Sequence, residues 1–148
     1  MKCIIKRFDD LTIYELYDVM RLRFEVFVIE QSCLYPEIDG KDQQAYHLMC
    51  KDDEGELLGY LRILDAGVSY AETSIGRVVV KEKARGLNLG KKIMTEAISF
   101  IKTVRHIEAI RISAQAYLLE FYKSLGFEAV SDEYLEDDIP HIEMLLKL

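Results

Sequence analysis

Apolar side chains recur along this chain with two periods, one helical and one strand-like. Between Thr12 and Ile29, the residues Ile13, Leu16, Tyr17, Met20, Phe24, Phe27 and Val28 fall at helical spacing, with Asp10 and Thr12 where caps belong. Between Asn88 and Lys102, Leu89, Ile93, Ala97 and Ile101 form one apolar stripe with Met94 and Ile98 beside it. A shorter helix is expected over "QAYLLEFYKSLGF", ending at Gly126, which stands where a helix-terminating glycine belongs. Strand-like runs cover Lys2–Phe8, Ala45–Lys51, Glu56–Leu64, Thr73–Val80, Ile107–Ala114, Phe127–Val130 and the closing "HIEMLLKL". "DDEG" reads as a hairpin turn between the second and third of these. "CLYPEIDGKDQQ" and the acidic "SDEYLEDDIP" read as loops. The order β-α-β-β-β-α-β-α-β-β predicts an α/β (α+β) fold with a mixed sheet flanked by helices.

No repeat or Pro/Ser-rich linker interrupts the 148 residues, so one domain over 1–148 is expected. A net charge of -7 argues against nucleic acid or an anionic membrane as partner. It agrees with a cationic or amine-bearing substrate. Cys3, Cys33 and Cys50 are odd in number and lack C-x-x-C spacing, so reduced thiols are expected, with neither a disulfide framework nor a zinc site. The N-terminus lacks a signal-like apolar stretch, and no segment approaches the ~20 apolar residues of a membrane span. A cytoplasmic protein, monomer or homodimer, is the expectation.

One stretch stands out against the acidic background. "GRVVVKEKARGLNLGKKIM" passes from β-branched residues through a cationic turn into a helix start. Lys81, Lys83, Arg85, Lys91 and Lys92 face only Glu82 in this window, a local charge of +4. Backbone N–H groups of Leu87 to Lys91 lie where a helix leaves its first donors unpaired, at the positive end of its dipole. Gly86 permits positive φ, and Gly90 places no side chain between helix and ligand. Neither the Walker nor the Rossmann glycine spacing is present. On spacing alone, a phosphate cradle and a solvated connection stand level.

"VVVKEKARGLNLGKKIM" resembles the acyl-CoA pyrophosphate motif of the GNAT acyltransferases, with Arg85 in its first position, Gly90 in its last and Asn88 in place of the middle glycine. "AQAYLLEFYKSLGF" is similar to a second element of that family through Tyr122, Gly126 and Phe127, with Gln115 for Asn and Leu118 for Ala. "LRFEVFVIEQSCLYPEIDGKDQQAYHL", "GRVVV" and "EDDIPHIEM" narrow the resemblance to the ElaA-like branch, where Asp138 replaces a glycine. The resemblance covers nearly the whole chain. It implies a GNAT-like, mainly antiparallel sheet of about seven strands, splayed near the middle.

It also implies acetyl-CoA as donor, no metal, and an N-acetyltransferase acting on a primary amine of a small molecule or peptide. The pantetheine arm would lie along Val78, Val79 and Val80, and Arg85, Gly86, Leu87, Asn88, Leu89, Gly90 and Lys91 would hold the pyrophosphate. Gln115 would approach the pantetheine, and Tyr122 would protonate the departing thiolate. An amide near Val79 would face the developing oxyanion. The base is not assigned: "TSIGR" carries no carboxylate, and Glu72 lies earlier. Glu30, Cys33, His47, Glu136 and His141, with Asp39 and Asp137, are the candidates for the acceptor side. A lone histidine on a strand, as His47 is, is more often a hydrogen-bonded core residue than a base, and the alternative for His141 is to anchor the acidic loop. Asn tolerates left-handed φ and favours N-caps, so the cradle is predicted to be intact. The rival to an enzyme is a non-catalytic acyl-CoA-binding or sensing domain; a nucleotide-binding regulator ranks third.

Overall fold

Thr12 opens the first helix with a reciprocal cap, its Oγ1 accepting from the Glu15 N–H while the Glu15 carboxylate accepts from the Thr12 N–H. That helix, α1 (Ile13–Arg23), widens into a π-helical segment over Phe24–Glu30. The structure is a computed structural model and describes all 148 residues, Met1–Leu148. The remaining elements are β1 (Lys2–Arg7), β2 (Tyr46–Lys51), β3 (Leu57–Leu64), β4 (Thr73–Val80), α2 (Leu89–Thr103), β5 (Ala109–Gln115), α3 (Leu119–Ser124), β6 (Glu128–Ala129), β7 (Tyr134–Glu136) and β8 (Ile139–Lys147).

The eight strands form one sheet in the order β1-β2-β3-β4-β5-β8-β6, with β7 also on β8. Every pairing is antiparallel except β4 with β5. Each face of the sheet carries its own core. On one face the predicted α2 stripe is buried through Leu89, Ile93, Met94, Ala97 and Ile101. Helix and sheet approach closely there, because a Cβ on Gly59 would stand 3.2 Å from the Leu89 Cδ2. On the other face, Val19, Leu22 and Val26 pack on Met49, Leu57, Tyr60 and Val79.

Four expectations are corrected. The first helix turns a different face inward: Val19, Leu22 and Arg23 are buried, whereas Ile13, Tyr17 and Phe24 stand exposed. The "acidic loop" contains β7 and a tight turn in which Asp137 and Asp138 both take positive φ, 51° and 62°, so this stretch forms a hairpin onto β8. The strand count is eight rather than about seven. Cys3 and Cys50 face each other across β1 and β2 and are joined as a disulfide, leaving Cys33 alone as a free thiol. A pairing 47 residues apart is created by strand register, which cysteine spacing does not reveal.

The parallel pair positions the site. β4 and β5 pair only at Thr73 with Ile110 and Ser74 with Arg111, and then part. Along the edge shared with β3, the register slips between Tyr60 and Arg62, so that Arg77 and Val78 together oppose Leu61. Arg77 takes the strain, with φ of 53° on a β-strand. The edge of β4 beyond Ser74 therefore faces an open cleft instead of a neighbouring strand.

Candidate active site

The cleft between the parted strands has a volume of about 870 Å³ and runs from Arg85 and Gly90 at one end to Glu136 and His141 at the other. Val78, Val79, Val80, Gln115 and Tyr122 line it between. The bond from the Lys81 N–H to the Leu58 carbonyl, 2.8 Å, puts Val79 opposite Tyr60 in a hydrogen-bonded position of the β3–β4 ladder. The Val79 amide is thus spent on β3. Its neighbours Val78 and Val80 present theirs to the open edge, each one residue from Val79.

At the cationic turn, Gly86 has φ of 83° and Asn88 of 58°. Asn88 therefore supplies the left-handed turn that a glycine would, and its side chain makes no capping bond. The first backbone bond of α2 runs from the Lys92 N–H to the Asn88 carbonyl, 3.1 Å. The amides of Leu89, Gly90 and Lys91 precede it and have no backbone acceptor. Gly90 lines the cleft, and a Cβ there would meet Phe121 at 3.5 Å and Val80 at 3.9 Å. Leu87 stands exposed and Leu89 buries its side chain in the core, so neither side chain lines the cleft. Left-handed φ costs a non-glycine side chain about 1–2 kcal/mol, Asn least of all. Asn88→Ala is expected to lose about 1 kcal/mol in chemical denaturation and Asn88→Gly to lose nothing.

The charge of this region differs from the sequence count. Lys81 and Lys83 both reach Glu56 on the β2–β3 hairpin, and the Arg85 guanidinium makes two bonds to Glu30, 2.7 and 3.0 Å, plus one to the Val80 carbonyl, 3.1 Å. Only Lys91 and Lys92 of the five cations lack an acidic partner. Glu30 thus stands at the Arg85 end of the cleft.

Tyr122 is 6% exposed, lines the cleft, and forms edge contacts with Phe121 and Phe127. Burial pushes its phenol well above the usual range, so it keeps its proton at neutral pH. Gln115 faces Gln31 at 3.4 Å, and at the far end the Cys33 Sγ lies 3.8 Å from the Asp137 carbonyl. Ser113 bonds both Tyr134 and Glu136. The His141 Nδ1 lies 2.6 Å from the Ile139 carbonyl and its Nε2 3.4 Å from Glu136. Sequence reasoning missed Ser113, Tyr134 and Tyr70, which carry little signal until β7 is seen to be a strand.

His47 is not part of this cleft. It is fully buried, with Nδ1 2.7 Å from the Tyr60 hydroxyl and Nε2 2.9 Å from the Asp42 carbonyl, and burial lowers its basicity. The reading of a hydrogen-bonded core histidine holds. Glu72 is tied to Arg111 by two 3.0 Å bonds. Asp39 lines the cleft but is held by Arg62. That contact belongs to a buried array in which Arg23 binds Glu37 and Asp42, each at 2.7 Å, Arg62 also reaches Asp42 at 3.0 Å, and Arg77 binds Glu37 at 2.7 Å. Three arginines and three carboxylates thereby fix the 37–42 loop against the strained residue of β4.

No cluster of three or more His, Cys, Asp or Glu side chains is arranged to hold a metal ion, and no helix is long and apolar enough to cross a membrane.

The profile of the acetyltransferase (GNAT) domain matches residues 15–148. Protein ElaA of Escherichia coli (strain K12) is 38% identical over 139 residues, 92% of this chain and 90% of that one. Its crystal structure superposes with a TM-score of 0.91, covering 98% of each chain. An acyl-CoA N-acyltransferase from Pseudomonas aeruginosa is 44% identical, with a TM-score of 0.91 and 99% of each chain covered.

Proposed function

This chain belongs to the GNAT acetyltransferase family, in the branch that includes the ElaA proteins, and from that premise we propose that it moves acetyl from acetyl-CoA to a primary amine by direct attack. The whole of 1–148 acts as one catalytic domain. The observation that carries the reading is the parted β4–β5 edge, which opens beside the unpaired amides of α2. A thioester arm lying along β4 finds free backbone donors there, and a pyrophosphate finds Leu89, Gly90 and Lys91 N–H groups at a helix start. The side chains of Arg85, Lys91 and Lys92 add positive charge.

Acetyl-CoA supplies an activated acyl group, and the protein supplies alignment and proton transfer. An alkyl ammonium, pKa ~10.4, must lose a proton before its nitrogen attacks. The Val78 and Val80 amides face the oxygen on which charge develops. Tyr122 gives its proton to the departing sulphur. The rival reading, an acyl-CoA sensor, shares the cradle and assigns no chemistry to the Tyr122 hydroxyl.

Thermal shift separates these readings from a nucleotide binder. Acetyl-CoA and CoA are expected to raise the melting temperature and ATP to leave it unchanged, since a ligand of the native state stabilises it. An equal response to ATP, or none to CoA, counts against the cradle. Glu30 adds a second test, because it competes with phosphate for Arg85. Glu30→Gln is expected to tighten acetyl-CoA binding about fivefold by calorimetry, the size of an exposed ion pair. Weaker binding would remove Arg85 from the pyrophosphate site.

A further inference from the structure

Resting on the amine-acetylation reading, we propose that His141 is the general base for the acceptor ammonium, with Glu136 as the carboxylate that stabilises its protonated ring. The carboxylates elsewhere in the cleft wall are committed. Glu30 holds Arg85, Glu37 holds Arg23 and Arg77, and Asp39 holds Arg62. Glu72 on the approach to β4 is bound to Arg111. What remains is the corner formed by β5, β7 and β8, where Glu136 and His141 both line the cleft.

The tautomer of His141 follows from its partner. A carbonyl oxygen only accepts, so the 2.6 Å contact with Ile139 places the hydrogen on Nδ1. The neutral ring then presents an unprotonated Nε2, and no donor occupies it. The Glu136 Oε2 lies 3.4 Å from it, repels that lone pair and attracts the N–H formed on protonation. The ring is held at this angle by stacking on Tyr134 at 6.2 Å. Strand register puts His141 opposite Gln115 on β5 and opposite Tyr134 on β7, so it stands beside the residue expected next to the donor arm.

Most of the other titratable and charged groups at this corner are engaged, and the Asp137 carboxylate is the one without a side-chain partner. Tyr134 is shared with Ser113, and burial with nearby Tyr134, Glu143 and Glu136 pushes Tyr70 up to about 12. Glu143 lies 3.9 Å from Arg111 of β5. Asp137 in the turn and Cys33 on the facing loop meet through the Asp137 carbonyl, and Tyr35 bonds Asp138 at 2.6 Å.

In the step itself, Nε2 takes one proton from the ammonium. The freed nitrogen pair forms the C–N bond to the thioester carbonyl carbon. The C–S bond breaks with its electron pair leaving on sulphur, which takes the Tyr122 proton. The second proton lost by the nitrogen restores Tyr122, and the imidazolium proton leaves to water past the half-exposed Glu136. One ammonium and one thioester give one amide, one thiol and one released proton.

The test compares two probe amines, n-butylamine, almost wholly protonated at neutral pH, and trifluoroethylamine, largely neutral there. Product is read by mass spectrometry and acetyl-CoA affinity by calorimetry. His141→Gln is expected to lower kcat/KM about 100-fold for butylamine and at most about threefold for trifluoroethylamine, the range of a single general base, with donor affinity unchanged. Glu136→Gln is expected to lower the butylamine/trifluoroethylamine ratio about tenfold. Equal losses for both amines, or none, overturn the base assignment while leaving acetyl transfer standing. If His141→Gln does not fold, an unchanged ratio in Glu136→Gln overturns it instead. A wild-type chain that binds acetyl-CoA and acetylates neither amine overturns the amine-acetylation reading, and this one with it.

Discussion

Tyr122→Phe is expected to lower turnover about 1,000-fold while leaving acetyl-CoA affinity within about twofold, since positioned acids contribute 10²–10⁴. The change removes one oxygen from a ring that is otherwise packed between Phe121 and Phe127. Packing survives because the volume is nearly kept, and no hydrogen bond within the protein is lost, since the hydroxyl's raised pKa traces to burial and to nearby Tyr117. A free thiol titrates near ~8.5, below a buried phenol, so in the proposed step the proton would move to sulphur only as the phenolate is relieved by the proton of the newly bonded nitrogen. The loss should therefore appear in kcat more than in KM. Unchanged turnover, measured by thiol release, would make Tyr122 a core residue.

Arg23→Ala is expected to cost about 3–5 kcal/mol in urea denaturation, the penalty of stranding buried carboxylates. Arg23 is fully buried, with Glu37 and Asp42 as its ionic partners. Burial alone would raise the Asp42 carboxyl, but the Arg23 and Arg62 guanidiniums outweigh it and hold it below the usual range. The sign follows: a carboxylate depressed in the folded state stabilises above its unfolded pKa and loses that contribution as pH falls through the folded one. Asp39 is depressed in the same sense, by Arg62 against burial. Wild-type stability should be flat at neutral pH and fall below about pH 4, where unfolded carboxyls begin to bind protons. A loss under 1 kcal/mol for Arg23→Ala, or no acid-side decline, would mean the array is solvated. Its disruption should also loosen Arg77, held by Glu37 at the strained residue of β4.

Much of this was legible in the sequence because local pattern and final packing agree. The β4 boundaries and the α2 stripe follow from β-branched residues and a fourfold spacing that tertiary contacts do not contradict. The first helix departs from its apolar pattern for a physical reason. Its inward face carries Arg23, a charge that an apolar count rejects, and its partners Glu37 and Asp42 come from a later loop. The π-helical widening after Arg23 then shifts the phase of everything up to Glu30. The cationic turn lies where the pattern places it, but its acids come from Glu56 and Glu30, far along the chain. β7 is three residues long and turns on Asp-Asp rather than Asn-Gly, so neither period nor turn residues announced it. Without that strand, Ser113, Tyr134, Glu136 and His141 do not come together on paper.

The most direct measurement is acetyl-CoA turnover across a panel of primary amines, following thiol release and identifying the product by mass spectrometry. Amine-dependent release with one N-acetyl product per thiol is the predicted result. Tight acetyl-CoA binding with no amine-dependent release, or release by hydrolysis alone, would contradict it and leave the cleft as a sensor's.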